Sequence, residues 1–351
     1  MTALGVGVMG CGSVSALYLP NGARLEALRF VACADVDPAA ADRLASKHGV
    51  AACAPAELIA REDVDVVLCL TPPDSHADVA LQAIAAGKHV YTEKPLATSL
   101  PRAREVLDAA AASGVLVGCA PDTFLGAGIQ TVRAAIEAGA IGTPVMAQVR
   151  MLGSPPEAWH RSPAFFYAEL AGPLLDLGPY GVTTAVELVG PVRRVTALAA
   201  RPRDTGRIAT GPLAGTDFPI VEPTRVGAVL EHDGGVLTTF TASFDLDGAA
   251  RHGIEVSGSD GTLAGGDPNT FDGPVVLRRG RAADESVELV PGRRDNARGL
   301  GLQDLCRAVR DGTSQRASGA LGLHVLEVLL AIRDSARDGA AVAITAPAAA
   351  S

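Results

Sequence analysis

The chain of 351 residues predicts an α/β protein with a doubly wound parallel sheet in its first part and a second, α+β part. Two observations support this. Up to about residue 143, apolar strands alternate with segments of helical pattern, which is typical of a parallel sheet covered by helices on both faces. After Gly142, strand-like runs follow one another across glycine-rich turns, which indicates an open, mostly antiparallel sheet.

The first part has the regular order of a doubly wound sheet. Its expected strands are 4–9, 30–34, 50–52, 66–70, 89–92 and 115–119, and its expected helices are 38–48, 75–86, 101–113 and 127–138. Because such a sheet binds its ligand beyond the carboxyl ends of its strands, the loops that follow three of these strands should line one crevice. These loops are Thr71-Pro72-Pro73, Glu93-Lys94-Pro95 and Ala120-Pro121-Asp122.

The second part has a different order of helices and strands. Its expected strands are 145–152, 192–200, 226–232, 236–243, 252–257, 261–264, 274–278 and 287–290, and its expected helices are 176–189, 300–311 and 319–338. The polar segment 201–225 is rich in Gly and Pro, and a loop of that length is usually a lid, a binding loop or a subunit contact.

A glycine turn follows the first strand. Gly10 is suited to a tight turn, Gly12 to close approach of a pyrophosphate, and the small Ser15 to close packing of the next helix. Ser13 and Val14 complete the turn and are further candidate cofactor contacts. Gly5-Val6-Gly7-Val8-Met9-Gly10 also matches GxGxxG, but that register places its glycines inside the strand, where they could approach no phosphate.

Asp35 ends the second strand. A carboxylate there can accept hydrogen bonds from the adenosine ribose and repel a 2′-phosphate, which favours NAD, with NADP as the alternative. Asp37 is the better candidate for capping the helix that opens at Pro38. The glycine turn and Asp35 together predict a dinucleotide-binding Rossmann domain at residues 1–143, a second domain at 144–346 and a frayed tail at 347–351.

Glu93-Lys94-Pro95 closes the fifth strand. Lysine is almost never fully buried without a partner, and the carboxyl end of a strand in an α/β sheet is where a ligand lies. Glu93 can supply a partner and Pro95 fixes the backbone. A solvated pair at a strand end is the competing interpretation.

Asp176 and Tyr180 are four residues apart at a helix start near Pro179, so their side chains should share one side of the helix. One interpretation is a helix cap and a core tyrosine. The other is an acid–base pair, since a nearby ammonium such as Lys94 favours the phenolate and lowers the pKa of a tyrosine. Such a group can take a proton from an alcohol.

The composition argues against several kinds of partner and binding site. The net charge is −9 with no basic run, which argues against nucleic acid and anionic membrane as partners. No apolar run reaches the roughly 18 residues of a membrane span. Six scattered cysteines without a CxxC fit a reducing cytoplasm, and the seven histidines form no pattern typical of zinc, so we expect no metal.

Taken together, these segments resemble the Gfo/Idh/MocA oxidoreductase family over nearly the whole chain. The resemblance rests on Gly10 to Ser15, Asp35, Thr71-Pro72-Pro73 with His76, Glu93-Lys94-Pro95 and Gly172 to Tyr180. It implies NAD or NADP with the nicotinamide near Lys94, and cofactor contacts from Thr71, Pro72, His76 and Glu93. It also implies a sugar, cyclitol or related polyol as substrate, and a homodimer or homotetramer formed through the C-terminal sheet.

The chain departs from the family pattern at two places. Many members carry His where this chain has Tyr180, so the acid–base role passes to Tyr180. Lys94 then polarises the reacting oxygen, and Asp176 orients the substrate or Tyr180. An Asn-x-Arg element is common where this chain has Pro121-Asp122-Thr123. We expect Asp122, Trp159 and His160 as substrate contacts. A glycosidase that uses NAD transiently and a non-catalytic nucleotide sensor remain alternatives.

Overall fold

The computed structural model describes residues 3–248 and 250–346, which form two compact units. The first unit contains 3–125 and 296–326, and the second contains 126–295, apart from residue 249, and 327–346. This division differs from the predicted boundary at 143, because the helix after Leu125 packs on the second unit and the segment after Asp295 returns to the first. The predicted tail, 347–351, lies outside the described residues.

The first unit is built on a six-stranded parallel sheet with the order β3-β2-β1-β4-β5-β6. Its strands are β1 (Leu4–Met9), β2 (Leu28–Ala34), β3 (Ala51–Cys53), β4 (Val66–Cys69), β5 (His89–Thr92) and β6 (Val117–Cys119). The central strands β1 and β4 are almost entirely buried, as expected for a sheet covered on both faces. The predicted Rossmann architecture is confirmed.

Ten α-helices are found in the described part of the chain. They are α1 (Ser15–Tyr18), α2 (Pro38–His48), α3 (Pro55–Ala60), α4 (His76–Ala85), α5 (Leu100–Ser113), α6 (Ala127–Glu137), α7 (Gly172–Asp176), α8 (Gly178–Val189), α9 (Leu300–Asp311) and α10 (Gly319–Asp338). Helix α1 is short because the chain tightens into a 3₁₀ helix, Leu19–Arg24, with Pro20 in its first turn. Asp37 caps α2 as predicted, accepting from the Ala39 N–H at 3.0 Å.

The second unit contains a nine-stranded sheet with the order β16-β15-β14-β13-β7-β12-β11-β8-β17. The remaining strands are β7 (Pro144–Leu152), β8 (Val192–Ala200), β9 (Thr205–Arg207), β10 (Asp217–Pro219), β11 (Arg225–His232), β12 (Leu237–Ser243), β13 (Arg251–Gly258), β14 (Thr262–Gly265), β15 (Val275–Arg278), β16 (Glu285–Val287) and β17 (Val342–Ala343). The sheet is antiparallel except for the parallel pair β7–β12. Helix α8 packs closely on one face, where a Cβ on Gly181 would lie 2.6 Å from Val149.

The long segment 201–225 is not an irregular loop. Strands β9 and β10 pair within it, and Ile208, Phe218 and Ile220 join Tyr167 and Phe244 in a small separate core. The Arg203 guanidinium lies 2.6 Å from the buried Glu157 carboxylate, which ties the segment to the stretch after β7. The segment is therefore a folded extension of the second unit.

Candidate active site

The glycine turn follows β1 as predicted. Gly10 has φ +101°, and a Cβ there would lie 2.7 Å from the carbonyl carbon of Leu70, so both conformation and packing require glycine. A Cβ on Gly12 would meet no atom within 4 Å. Gly12 therefore leaves open space beside the turn, which fits the close approach of a dinucleotide pyrophosphate.

The strand glycines have a different role. A Cβ on Gly5 would lie 1.9 Å from the Asp63 carbonyl oxygen, and one on Gly7 would lie 2.7 Å from Leu58. These glycines are needed for packing inside the sheet, so the GxGxxG register that begins at Gly5 is not a phosphate-binding turn.

The rest of the turn is held by a small hydroxyl. The Ser15 side chain is buried and its Oγ donates to the Gly12 carbonyl at 2.7 Å. Ser13 is exposed and Val14 is half-buried, so both remain available to a ligand at the turn.

Asp35 lies at the end of β2 and holds the glycine turn directly. Its Oδ2 accepts from the Cys11 N–H at 2.7 Å, and its Oδ1 accepts from the Asp37 N–H at 2.9 Å. A carboxylate has about four acceptor positions, so ribose hydroxyls can still donate to it. Contact between Asp35 and the ribose stays a prediction.

Glu93 is fixed by a residue that sequence reasoning missed. Its Oε1 accepts from the hydroxyl of the fully buried Tyr18 at 2.6 Å, and its Oε2 accepts from the Lys94 N–H at 3.1 Å. The two partners are 75 residues apart in the chain, and no spacing rule connects them. Tyr18 thus sets the backbone from which the Lys94 side chain, half-buried, projects.

His76 joins two of the strand-end loops of the first unit. Its ring is buried and both nitrogens have partners: Nδ1 lies 2.7 Å from the Pro95 carbonyl oxygen and Nε2 lies 2.8 Å from that of Thr71. His76 therefore links two strand-end loops, and the predicted cofactor contact from His76 stays a prediction. Thr71 is half-buried and Pro72 is exposed in the loop that it holds.

Asp122 holds the start of a helix in the first unit. Its side chain is buried, and its Oδ2 accepts from the N–H groups of Gly299 at 2.8 Å and Gly301 at 3.1 Å, at the start of α9. Burial raises the pKa of this carboxyl to about 6. These partners come from a segment about 180 residues later in the chain, and contact between Asp122 and a substrate stays a prediction.

Asp176 and Tyr180 belong to the second unit, where α7 ends at Asp176 and α8 begins at Gly178. Both residues are half-buried. Pro179 lies in the first turn of α8, as predicted.

Trp159 and His160 belong to an aromatic cluster on the second unit. Trp159 is 55% exposed, and its ring centroid lies 5.6 Å from those of His160 and Phe166. Phe165 is 57% exposed and stacks at 4.0 Å on Phe166. An exposed aromatic surface of this kind can pack against the C–H face of a sugar, which is consistent with the predicted substrate role of Trp159 and His160. That role stays a prediction.

No group of three or more His, Cys, Asp or Glu side chains between residues 3 and 346, residue 249 aside, is arranged to hold a metal ion. In the same part of the chain, every helix is too short or too polar to cross a membrane.

Comparison with known proteins supports the same assignment. Residues 4–120 match the model of an oxidoreductase family with an NAD-binding Rossmann fold, and residues 129–264 match the GFO/IDH/MocA C-terminal domain. A solved NAD-binding oxidoreductase from Klebsiella pneumoniae has the same fold, with a TM-score of 0.87 and 24% identity over 98% of this chain and 100% of its own.

Two relatives carry the names of sugar reductases. The chain is 29% identical to 1,5-anhydro-D-fructose reductase of Ensifer adhaerens over 82% of both chains. It is 31% identical to dTDP-3,4-didehydro-2,6-dideoxy-α-D-glucose 3-reductase of Streptomyces violaceoruber, over 74% of this chain and 72% of that one. The predicted family, the NAD-binding domain and the oxidoreductase class are thereby confirmed. The chain belongs to the Gfo/Idh/MocA family of NAD-binding oxidoreductases.

Proposed function

We propose that the protein transfers a hydride between NAD and a secondary alcohol or ketone of a sugar, a cyclitol or a related polyol. The observation that carries this proposal is the position of Lys94, in the loop that follows β5 in a Rossmann sheet whose glycine turn has open space beside Gly12. The sugar reductases among the relatives support the substrate class. NADP is the alternative cofactor.

Three side chains have proposed roles in this reaction. Bound NAD supplies the hydride acceptor at its nicotinamide ring. Lys94 donates a hydrogen bond to the reacting oxygen and stabilises the negative charge that develops there. Tyr180 exchanges the hydroxyl proton, and Asp176 orients Tyr180 or the substrate.

The experiment is a nicotinamide absorbance assay with NAD and then NADP against aldoses, cyclitols, anhydro sugars, sugar acids and glycosides. Replacing Lys94 with Ala should lower turnover by about 10²–10⁴ while NAD still binds. Lys88 is a matched control, because it lies just before β5, at the opposite end of the same strand, where its Nζ donates to the Arg61 carbonyl at 2.9 Å.

Lys88→Ala should keep wild-type turnover. Equal turnover in Lys94→Ala and Lys88→Ala would refute the proposed role of Lys94. Sugar release from glycosides without net change in nicotinamide absorbance would instead establish the transient-NAD glycosidase. Bound NAD with no conversion of any compound would favour the nucleotide sensor.

We also propose that the protein is a cytoplasmic homodimer or homotetramer that associates through the second sheet. Its face away from α8 exposes 77% of Leu198, 44% of Val229 and 40% of Leu237. Exposed apolar side chains on one face of a sheet favour association. Replacing Leu198 with Lys should reduce the mass measured by light scattering, and an unchanged mass would exclude this face as the interface.

A further inference from the structure

Tyr18 is a fully buried tyrosine of the first unit to which the proposed reaction assigns no role. It is the last residue of α1, the short helix that follows the glycine turn. Its hydroxyl donates to Oε1 of Glu93 at 2.6 Å. Burial and the nearby Glu93 carboxylate raise the pKa of Tyr18 well above its ordinary value, so the hydroxyl keeps its proton and acts as a donor to Glu93.

Glu93 extends this hydrogen bond to the backbone of Lys94. Its Oε2 accepts from the Lys94 N–H at 3.1 Å, so one carboxylate serves both donors. The backbone of Glu93 is fixed as well, because its N–H donates to the Cys69 carbonyl at 2.9 Å. A glutamate side chain has several rotatable bonds, and holding it in one conformation costs entropy. The Tyr18 hydroxyl therefore selects the conformation in which the carboxylate lies at the Lys94 N–H.

The proposed role of Lys94 depends on the exact position of its ammonium group. A donor stabilises the charge that develops on the reacting oxygen only from a distance of about 3 Å, and a displacement of about 1 Å costs up to about a hundredfold in rate. The Lys94 side chain leaves the backbone at the residue whose N–H Glu93 holds. A shift of this N–H is consequently a shift of the whole lysine.

We propose that Tyr18 is a positioning residue for hydride transfer, which acts through Glu93 to hold Lys94 where its ammonium group meets the reacting oxygen. The inference rests on the proposed function, because it takes Lys94 as the group that polarises this oxygen. Tyr18 exchanges no proton with the substrate, and its side chain has no surface that a ligand could contact. Its hydroxyl contributes to the rate only by fixing the lysine.

The first test removes the hydroxyl and keeps the ring. Tyr18→Phe should lower kcat about tenfold, with KM for the polyol and the Kd of NAD within about twofold of wild type, because the lost interaction matters only in the transition state. Tyr91→Phe is the matched control. Tyr91 is equally buried in β5, two residues before Glu93, and its hydroxyl has no hydrogen-bond partner in the described part of the chain. Tyr91→Phe should keep the kcat of wild type, and a Tyr18→Phe protein that also keeps it would overturn the inference.

A double variant separates positioning from general damage. If Tyr18 acts only through Lys94, adding Tyr18→Phe to Lys94→Ala should leave the residual turnover of Lys94→Ala unchanged. A further tenfold loss in the double variant would show that the hydroxyl serves another part of the site, and the inference would be wrong.

Glu93→Gln interrupts the same connection at its centre. The amide has one acceptor oxygen where the carboxylate has two, so it cannot accept from both the Tyr18 hydroxyl and the Lys94 N–H in the present geometry. It should lower kcat by a factor similar to that of Tyr18→Phe, and the two changes together should cost no more than either alone. Losses that multiply would contradict a shared route through Glu93.

A measurement without turnover separates this inference from the proposed function. Lys47, Lys88 and Lys94 are the three lysines of the chain, so protein labelled with ¹⁵N-lysine gives one backbone amide signal for each. Exchange of the Lys94 N–H with deuterated water should be about fivefold faster in Tyr18→Phe than in wild type, while the other two amides exchange at wild-type rates.

The two failures can then be told apart. A wild type that reduces no NAD with any polyol overturns hydride transfer and leaves the exchange experiment valid. Equal exchange of the Lys94 N–H in wild type and Tyr18→Phe excludes positioning by Tyr18, whether or not a polyol is turned over. Faster exchange at all three lysines would also exclude it, because the substitution would then have loosened the whole fold.

Discussion

Replacing Asp122 with Asn should increase the stability of the fold at neutral pH and leave it unchanged at acidic pH, in each case compared with wild type. Burial raises the pKa of the Asp122 carboxyl from 3.8 to about 6. The folded protein therefore holds a proton that the unfolded chain releases, and wild type loses stability as the pH rises through this window. The difference between the two pKa values corresponds to about 3 kcal/mol in the free energy of unfolding, which wild type loses between about pH 4 and pH 6.

Asparagine keeps the contacts of Asp122 without the titration. Its carbonyl oxygen can accept from both Gly299 and Gly301, whose N–H groups lie 2.8 and 3.1 Å from the carboxylate oxygen. Urea unfolding at several pH values should give equal free energies of unfolding for the variant and wild type near pH 4. Near pH 7 the free energy of unfolding should be up to about 3 kcal/mol larger for the variant. The exposed Asp108 on α5 provides the control, Asp108→Asn. A stability difference that is constant with pH would refute the reasoning.

The remaining predictions concern packing around the first sheet. Gly12→Ala should leave stability unchanged, because its Cβ meets no atom within 4 Å, but should raise the Kd of NAD about tenfold, measured by nicotinamide fluorescence. Gly5→Ala should lower the free energy of unfolding in urea by at least about 3 kcal/mol, because its Cβ would lie 1.9 Å from the Asp63 carbonyl oxygen. Equal effects of Gly5→Ala and Gly12→Ala on stability would contradict this reasoning. Tyr91→Phe should stabilise the fold by about 1 kcal/mol, since the Tyr91 hydroxyl is buried and lacks a partner among the described side chains, and a loss of stability would show that the hydroxyl is bonded.

The parts of the site that could be predicted depend on local sequence. Gly10 and Asp35 follow directly after apolar strands, and Lys94 closes another, so periodicity and strand ends were enough to place them. The same local rules predicted the cap at Asp37 and the helix start at Pro179.

The parts that could not be predicted depend on contacts between distant segments. Tyr18 holds Glu93 from 75 residues away, and Asp122 binds N–H groups of a segment that returns to the first unit after Asp295. The two hydrogen bonds of His76 could not be predicted for a similar reason, because the partners of a buried imidazole are whichever carbonyl groups the fold brings to it. Such contacts follow from the topology of the chain, and no spacing in the sequence reports them.

The most direct test of hydride transfer is the fate of a deuterium atom on the reacting carbon of the polyol. We expect wild type to transfer it to the nicotinamide ring, giving deuterated NADH that mass spectrometry detects, and Lys94→Ala to give at most about 1% of that rate with NAD still bound. Conversion of the polyol with no deuterium in the nicotinamide would contradict the account, and so would undiminished transfer in Lys94→Ala.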